Sequence, residues 1–171
     1  MIEGKVSICA TEMMESMRTN HRPTRAEVAD VAGAVREGFS AVMLSAETAT
    51  GHDPINAVTA MARICDANET HDGAKSYADA HPTESAVGAA AAALAKRTGA
   101  ANIIALTYSG YSSEILSACR PAARIIAATP SPEVARRLRL YWGVTPIICQ
   151  RNIDLTVAVD DAFNKAVDEG L

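Results

Sequence analysis

Short apolar runs of strand length alternate with helix-length amphipathic segments along nearly the whole of this chain. Val6 to Ala10 reads as a strand, Arg22 to Gly38 as a helix with Pro23 at its start, and Ala41 to Leu44 as the next strand. Within that helix Val28, Val31, Ala32 and Val35 recur at helical spacing, and Gly38 ends it. Asp53 reads as an N-cap with Pro54 in the first helical position, opening a helix through Ile55, Val58, Met61, Ala62 and Cys65. Each connection is long enough to return the chain for parallel pairing. The alternation therefore predicts an α/β fold whose parallel strands are covered by helices.

The stretch THDGAKSYADAHP is polar and carries Gly and Pro, and it predicts a linker over residues 71–82 between a first domain, 1–70, and a second, 83–171. The order then resumes. Thr83 to Arg97 predicts a helix capped by Thr83, Asn102 to Leu106 a strand, Ser112 to Cys119 a helix and Arg124 to Ala128 a strand. Ser131 to Tyr141 follows as a helix with Pro132 in its first position, then Thr145 to Ile148 as a strand and Leu155 to Glu169 as a helix.

Charge narrows the function. Sixteen Lys and Arg against twenty Asp and Glu give a net charge of −4, which disfavours nonspecific nucleic-acid or anionic-membrane binding. No apolar run approaches the roughly 18 residues of a membrane span. The four cysteines are far apart and form no metal-ligand spacing with histidine, so they read as reduced thiols of a cytoplasmic protein, with no metal site. The basic run RRLRL, Arg136 to Leu140, reads as a solvated helix face able to form charge pairs, and Trp142 as a packing or subunit contact.

Chemistry concentrates where strands stop. In ICATEMMESM, Thr11 and Glu12 end the first strand; in VMLSAETATG, Ser45 and Glu47 end the second. Residues of this kind either cap the next helix or face a ligand. In TYSGYS, Thr107 to Ser112, three aliphatic hydroxyls (Thr107, Ser109 and Ser112) and Gly110 lie between a strand and a helix. That is either a capped turn or a phosphate cradle, in which backbone N–H groups at a helix start supply positive potential.

These motifs resemble pyruvate kinase. ICATEMMESM is similar to that family's ICATQMLESM, RPTRAEVADVAGAV to RPTRAEVSDVANAV, and VMLSAETATG to IMLSGETAKG. ESAVGAAAAALA, TYSGYS, RPAARIIAATPSPEVARRLRLYWGVTPI and the helix opening at IDL have counterparts in order in the family's C-terminal domain. The resemblance implies the last two units of a (β/α)8 barrel followed by a parallel α/β domain with helices on both faces, stopping before that domain's last strands. It implies a fragment of an enzyme that transfers phosphate from phosphoenolpyruvate to ADP in glycolysis.

The family's Mg2+ and K+ ligands and its catalytic lysine have no counterpart here, so the chain alone is expected to be inactive and to hold neither cation. The alternative is a non-catalytic relic or regulatory module that keeps a phosphate-binding loop. By the resemblance, Thr11 contacts the substrate carboxylate region, and Ser45 and Glu47 lie near the proton-transfer site. Barrel enzymes build their sites at such strand ends.

The loop Thr107, Tyr108, Ser109, Gly110, Tyr111 and Ser112 is similar to the effector loop TKSGRS. Its lysine and arginine are Tyr108 and Tyr111 here, and the arginine after the family's Asp-Leu motif is Thr156. A sugar monophosphate or no effector fits better than fructose 1,6-bisphosphate. The family also implies a homo-oligomer, a tetramer. Glu12 stands for a Gln and adds negative charge beside Thr11, and Ala46 stands for a Gly, which is tolerable only if φ is negative there.

Overall fold

The computed structural model describes residues 5–10, 12–69, 85–150 and 154–171. Thr11, Thr83 and the expected linker 71–82 lie outside the described residues. The chain divides into two compact units, one within Val6–Ala74 and one within Lys75–Leu171.

In the first unit, β1 (Ile8–Cys9) pairs in parallel with β2 (Ala41–Val42), Ile8 opposite Ala41 and Cys9 opposite Val42. The apolar runs predicted longer strands. Ladder pairing covers only two residues of each, although Met43 N–H still reaches the Cys9 carbonyl at 2.9 Å. With Ile8 and Met43 both exposed, the apolar run outlasts its pairing. A 3-10 turn (Glu15–Arg18) follows β1, then α1 (Arg25–Glu37), α2 (Ala46–Ala49) and α3 (Pro54–Asn68).

Helix α1 begins later than Pro23 suggests, because Thr24 and Glu27 form a reciprocal capping box: the Thr24 side chain accepts from Glu27 N–H, and the Glu27 carboxylate accepts from Thr24 N–H. Gly38 closes it at φ 86. Asp53 caps α3 through Asn56 N–H at 3.0 Å, with Pro54 at the start. The core of this unit is rich in thioethers: Met13, Met14, Met17 and Met61 pack with Val31, Ala34 and Ala57.

The second unit runs α4 (Ala86–Thr98), β3 (Asn102–Leu106), α5 (Tyr111–Ala118), β4 (Arg124–Thr129), α6 (Pro132–Leu138), β5 (Val144–Ile148) and α7 (Leu155–Asp168). The strands form one parallel sheet in sequence order, with β4 central and buried from Ile125 to Thr129. Side chains of successive strand residues point to opposite faces, and β4 uses both. Ile126 and Ala128 join Ile147, Ala162 and Ala166 in a core beneath α7, while Ile125 joins Ala105 and Leu116 on the other side, against Ala91 of α4. Helices thus cover both faces, as the alternation of the sequence requires. Ser131 caps α6 as expected, accepting from Val134 N–H, whereas Ser85 and not Thr83 flanks α4.

Candidate functional site

Two polar clusters lie at strand ends, one in each unit. In the first unit Glu47 is fully buried, and its carboxylate accepts Met14 N–H at 3.0 Å and Ser45 N–H at 2.8 Å. Burial acts to raise its pKa, but hydrogen bonds from the backbone N–H of Glu47 itself, Ser45 and Met14 outweigh burial and leave it below the ordinary carboxylate value. Glu47 therefore acts as an anionic staple joining the segment after β1 to the end of β2.

Ser45 is exposed, and its side chain makes no capping bond to α2. Ala46, where the resemblance expects glycine, opens α2 and is not among the described residues at positive φ. Glu12 is among them, exposed at φ 52, a conformation that costs a non-glycine residue on the order of 1 kcal/mol. Glu47 and Ser45 are thus brought together beside Met14.

A second carboxylate does similar work nearby. Glu27 accepts from Ser16 N–H at 2.7 Å and from the Ser16 hydroxyl, besides its bonds to Thr24. Burial pushes its pKa up, and the Ser16 and Thr24 hydrogen bonds override that and hold it low. Sequence reasoning passed over Glu27, although the Thr-x-x-Glu spacing signals the capping box.

The second cluster is the loop between β3 and α5. Thr107 is buried; its N–H donates to Ala128 carbonyl at 2.9 Å and its Oγ1 accepts Gly110 N–H at 2.9 Å. Ser109 Oγ accepts Tyr111 N–H at 3.4 Å. Two of the three hydroxyls therefore hold the loop itself, while Ser112 is exposed. Tyr108 and Tyr111 are exposed, and Tyr111 and Ser112 border an apolar cavity of about 480 Å³ that reaches Val87, Ile103 and Ile115.

The cation at this loop comes from α6. Arg137 Nη2 donates to the Ser109 carbonyl and pairs with Glu114 at 3.1 Å. RRLRL is thus only partly solvated: Arg137 reaches the loop, and Leu138 is fully buried. Tyr141 sits against Glu114. Burial raises its pKa first, and the charge and hydrogen bond of Glu114 raise it further, against an opposing effect of Arg137. Trp142 is a packing contact, with the Arg120 guanidinium 4.8 Å from its ring centroid and its carbonyl accepting the Ser117 hydroxyl at 2.7 Å.

Gly110 has φ 95, and a Cβ there would stand 2.8 Å from Arg137 Nη2. Gly110→Ala is expected to destabilise this unit by about 1–2 kcal/mol through strained φ and a displaced guanidinium. A urea titration showing an unchanged midpoint would refute that.

Among the described residues no group of three or more His, Cys, Asp or Glu is placed to hold a metal ion. The two buried or partly buried carboxylates of the first unit already accept backbone N–H groups, so they do not fit the Mg2+ and K+ that the resemblance implies. None of the described helices is long and apolar enough to cross a membrane.

Comparison with known proteins matches both units. The pyruvate kinase barrel domain model matches residues 1–58, and the pyruvate kinase alpha/beta domain model matches residues 85–171. A pyruvate kinase of Agrobacterium vitis is 42% identical over 99% of this chain and 37% of its own length. Pyruvate kinase 2 of Synechocystis sp. is 44% identical over 82% of this chain and 24% of its own length. A crystal structure of a Cryptosporidium parvum pyruvate kinase superposes with a TM-score of 0.88 at 35% identity, covering 99% of this chain and 36% of that one. Another from the same organism, in complex with ADP, gives 0.86 at 36% identity. The chain spans between 24% and 37% of the length of these relatives.

Proposed function

The chain belongs to the pyruvate kinase family, and from that premise we propose that residues 1–171 are a working part of an enzyme that moves the phosphoryl group of phosphoenolpyruvate to ADP. The observation that supports this is the match of both family domains, in order, on one chain. The enzyme is a cytoplasmic homo-oligomer, a tetramer as the family implies. The loop Thr107–Ser112 receives no phosphorylated effector larger than a sugar monophosphate.

In this reading Thr11 and Ser45 are the substrate-facing hydroxyls. Loss of the phosphoryl group leaves an enolate that must gain a proton at carbon. Hydroxyls and water at the strand ends can pass that proton without bringing a free anion against the substrate. Glu47 is a positioning residue: its charge is held by backbone N–H groups, and it fixes the Ser45 backbone relative to the segment that follows Thr11. Mg2+ and K+ are held by residues other than those described here, and no step is assigned to them.

The test is a chimera of the Agrobacterium vitis relative in which the matching segment is replaced by residues 1–171, read by a lactate-dehydrogenase-coupled assay. Turnover within about tenfold of the parent is expected, and none from the 171-residue chain by itself. A folded chimera with no turnover would overturn the proposal and favour a non-catalytic module. Turnover by the isolated chain would refute its dependence on residues elsewhere.

A further inference from the structure

We propose that Glu114 and Arg137 form an internal clamp that holds the loop Thr107–Ser112 in one conformation without a ligand. The inference rests on the effector-loop reading above only for its regulatory meaning; the clamp itself rests on geometry.

One guanidinium nitrogen, Arg137 Nη2, spans the Ser109 carbonyl and the Glu114 carboxylate, linking α6 to the loop and to the first turn of α5. It packs against Gly110, where any Cβ would stand 2.8 Å from Nη2 and 3.2 Å from Glu114 Oε1. A cation at a helix N-terminus is unfavourable by itself, because the helix dipole is positive there. Glu114 in the first turn neutralises it. With side chains 52% and 26% exposed, the ion pair alone would contribute little. The bond to the Ser109 carbonyl and the fit over Gly110 make the contact a cross-link between two β-α units.

The family loop to which TYSGYS is similar carries its own lysine and arginine. Here Tyr108 and Tyr111 occupy those positions, and the cation arrives from the next helix already paired. The ordering that a bound phosphate would otherwise impose is supplied from within. The loop is therefore preset, and its conformation does not depend on an effector.

Hydrogen exchange on the whole chain tests this at the amides of Gly110, Tyr111 and Glu114, which donate within the loop and first turn. The wild type is expected to be protected there without any anion. Arg137→Met is expected to speed exchange at these amides by about tenfold or more, with the central strand Arg124–Thr129 unchanged. Glu114→Gln, a milder change, is expected to give a smaller increase at the same amides, and it reports even if the Arg137 variant fails to fold.

Inorganic phosphate is the second arm. No added protection of the wild-type loop is expected from it. Recovery of protection by phosphate in Arg137→Met alone would support both the clamp and the effector reading. A wild-type loop that exchanges freely until phosphate is added would overturn the clamp and leave the effector reading standing. Unchanged exchange in both variants would also overturn the clamp.

Discussion

Glu47→Gln is expected to destabilise the Val6–Ala74 unit by about 2–4 kcal/mol, on the scale of one charge-assisted hydrogen bond lost and one buried donor left facing another. The carboxylate accepts amide protons at both oxygens, from Met14 at Oε1 and from Ser45 at Oε2. A glutamine keeps one acceptor but must turn its NH2 toward the other amide. Faster exchange at the Met14 and Ser45 amides, with a lower urea midpoint, is the expected readout. A change below about 0.5 kcal/mol would show that the staple is dispensable.

The same site fixes the sign of the pH dependence. The folded pKa of Glu47 lies below the unfolded value, so its stabilisation is fully present above the unfolded pKa and is lost as pH falls through the folded one. Glu27 is lowered too and titrates in the same sense. The wild type should therefore weaken in acid, and the gap between it and Glu47→Gln should narrow, because glutamine has no proton to gain.

In the chimeric enzyme, Thr11→Ala is expected to lower kcat/KM by tenfold or more, about 1.4 kcal/mol of transition-state stabilisation. Ser112→Ala should leave it within about twofold, a few tenths of a kcal/mol. The difference follows from place. Thr11 follows β1, at the end where a barrel does its chemistry, whereas Ser112 is exposed on the loop of the other unit. Equal small losses from both substitutions would count against Thr11 as a substrate contact.

Where signals act over a few residues, the sequence read well. Asp53 with Pro54 and Ser131 with Pro132 opened helices as expected, because a cap and its amide partner lie three positions apart. Helix α1 starts later than Pro23 predicts, since Pro23 is equally a helix-start signal and the capping box of Thr24 and Glu27 prevails. Long-range partners were not legible. Glu47 reads as a carboxylate at a strand end. Whether its oxygens meet a ligand or an amide depends on Met14, 33 residues earlier. Arg137 reads as a solvated charge until the fold brings it to Ser109, 28 residues away. Strand length failed for a related reason: an apolar run records preference, but the extent of a ladder depends on the partner strand.

The chain's sulfur is unevenly shared. All six methionines lie at or before Met61, and four of them are buried together, with the Cys9 thiol directed at Met13 Sδ at 3.6 Å. Thioethers give that core a soft, polarisable filling that adapts to irregular gaps. They also give it a chemical vulnerability that residues 75–171, which hold no methionine, do not share. Each sulfoxide would place a polar oxygen among apolar groups. Thioether oxidation by peroxide would thus fall on the half that carries Glu47 and Ser45, while the sulfur of residues 75–171 is confined to the thiols of Cys119 and Cys149.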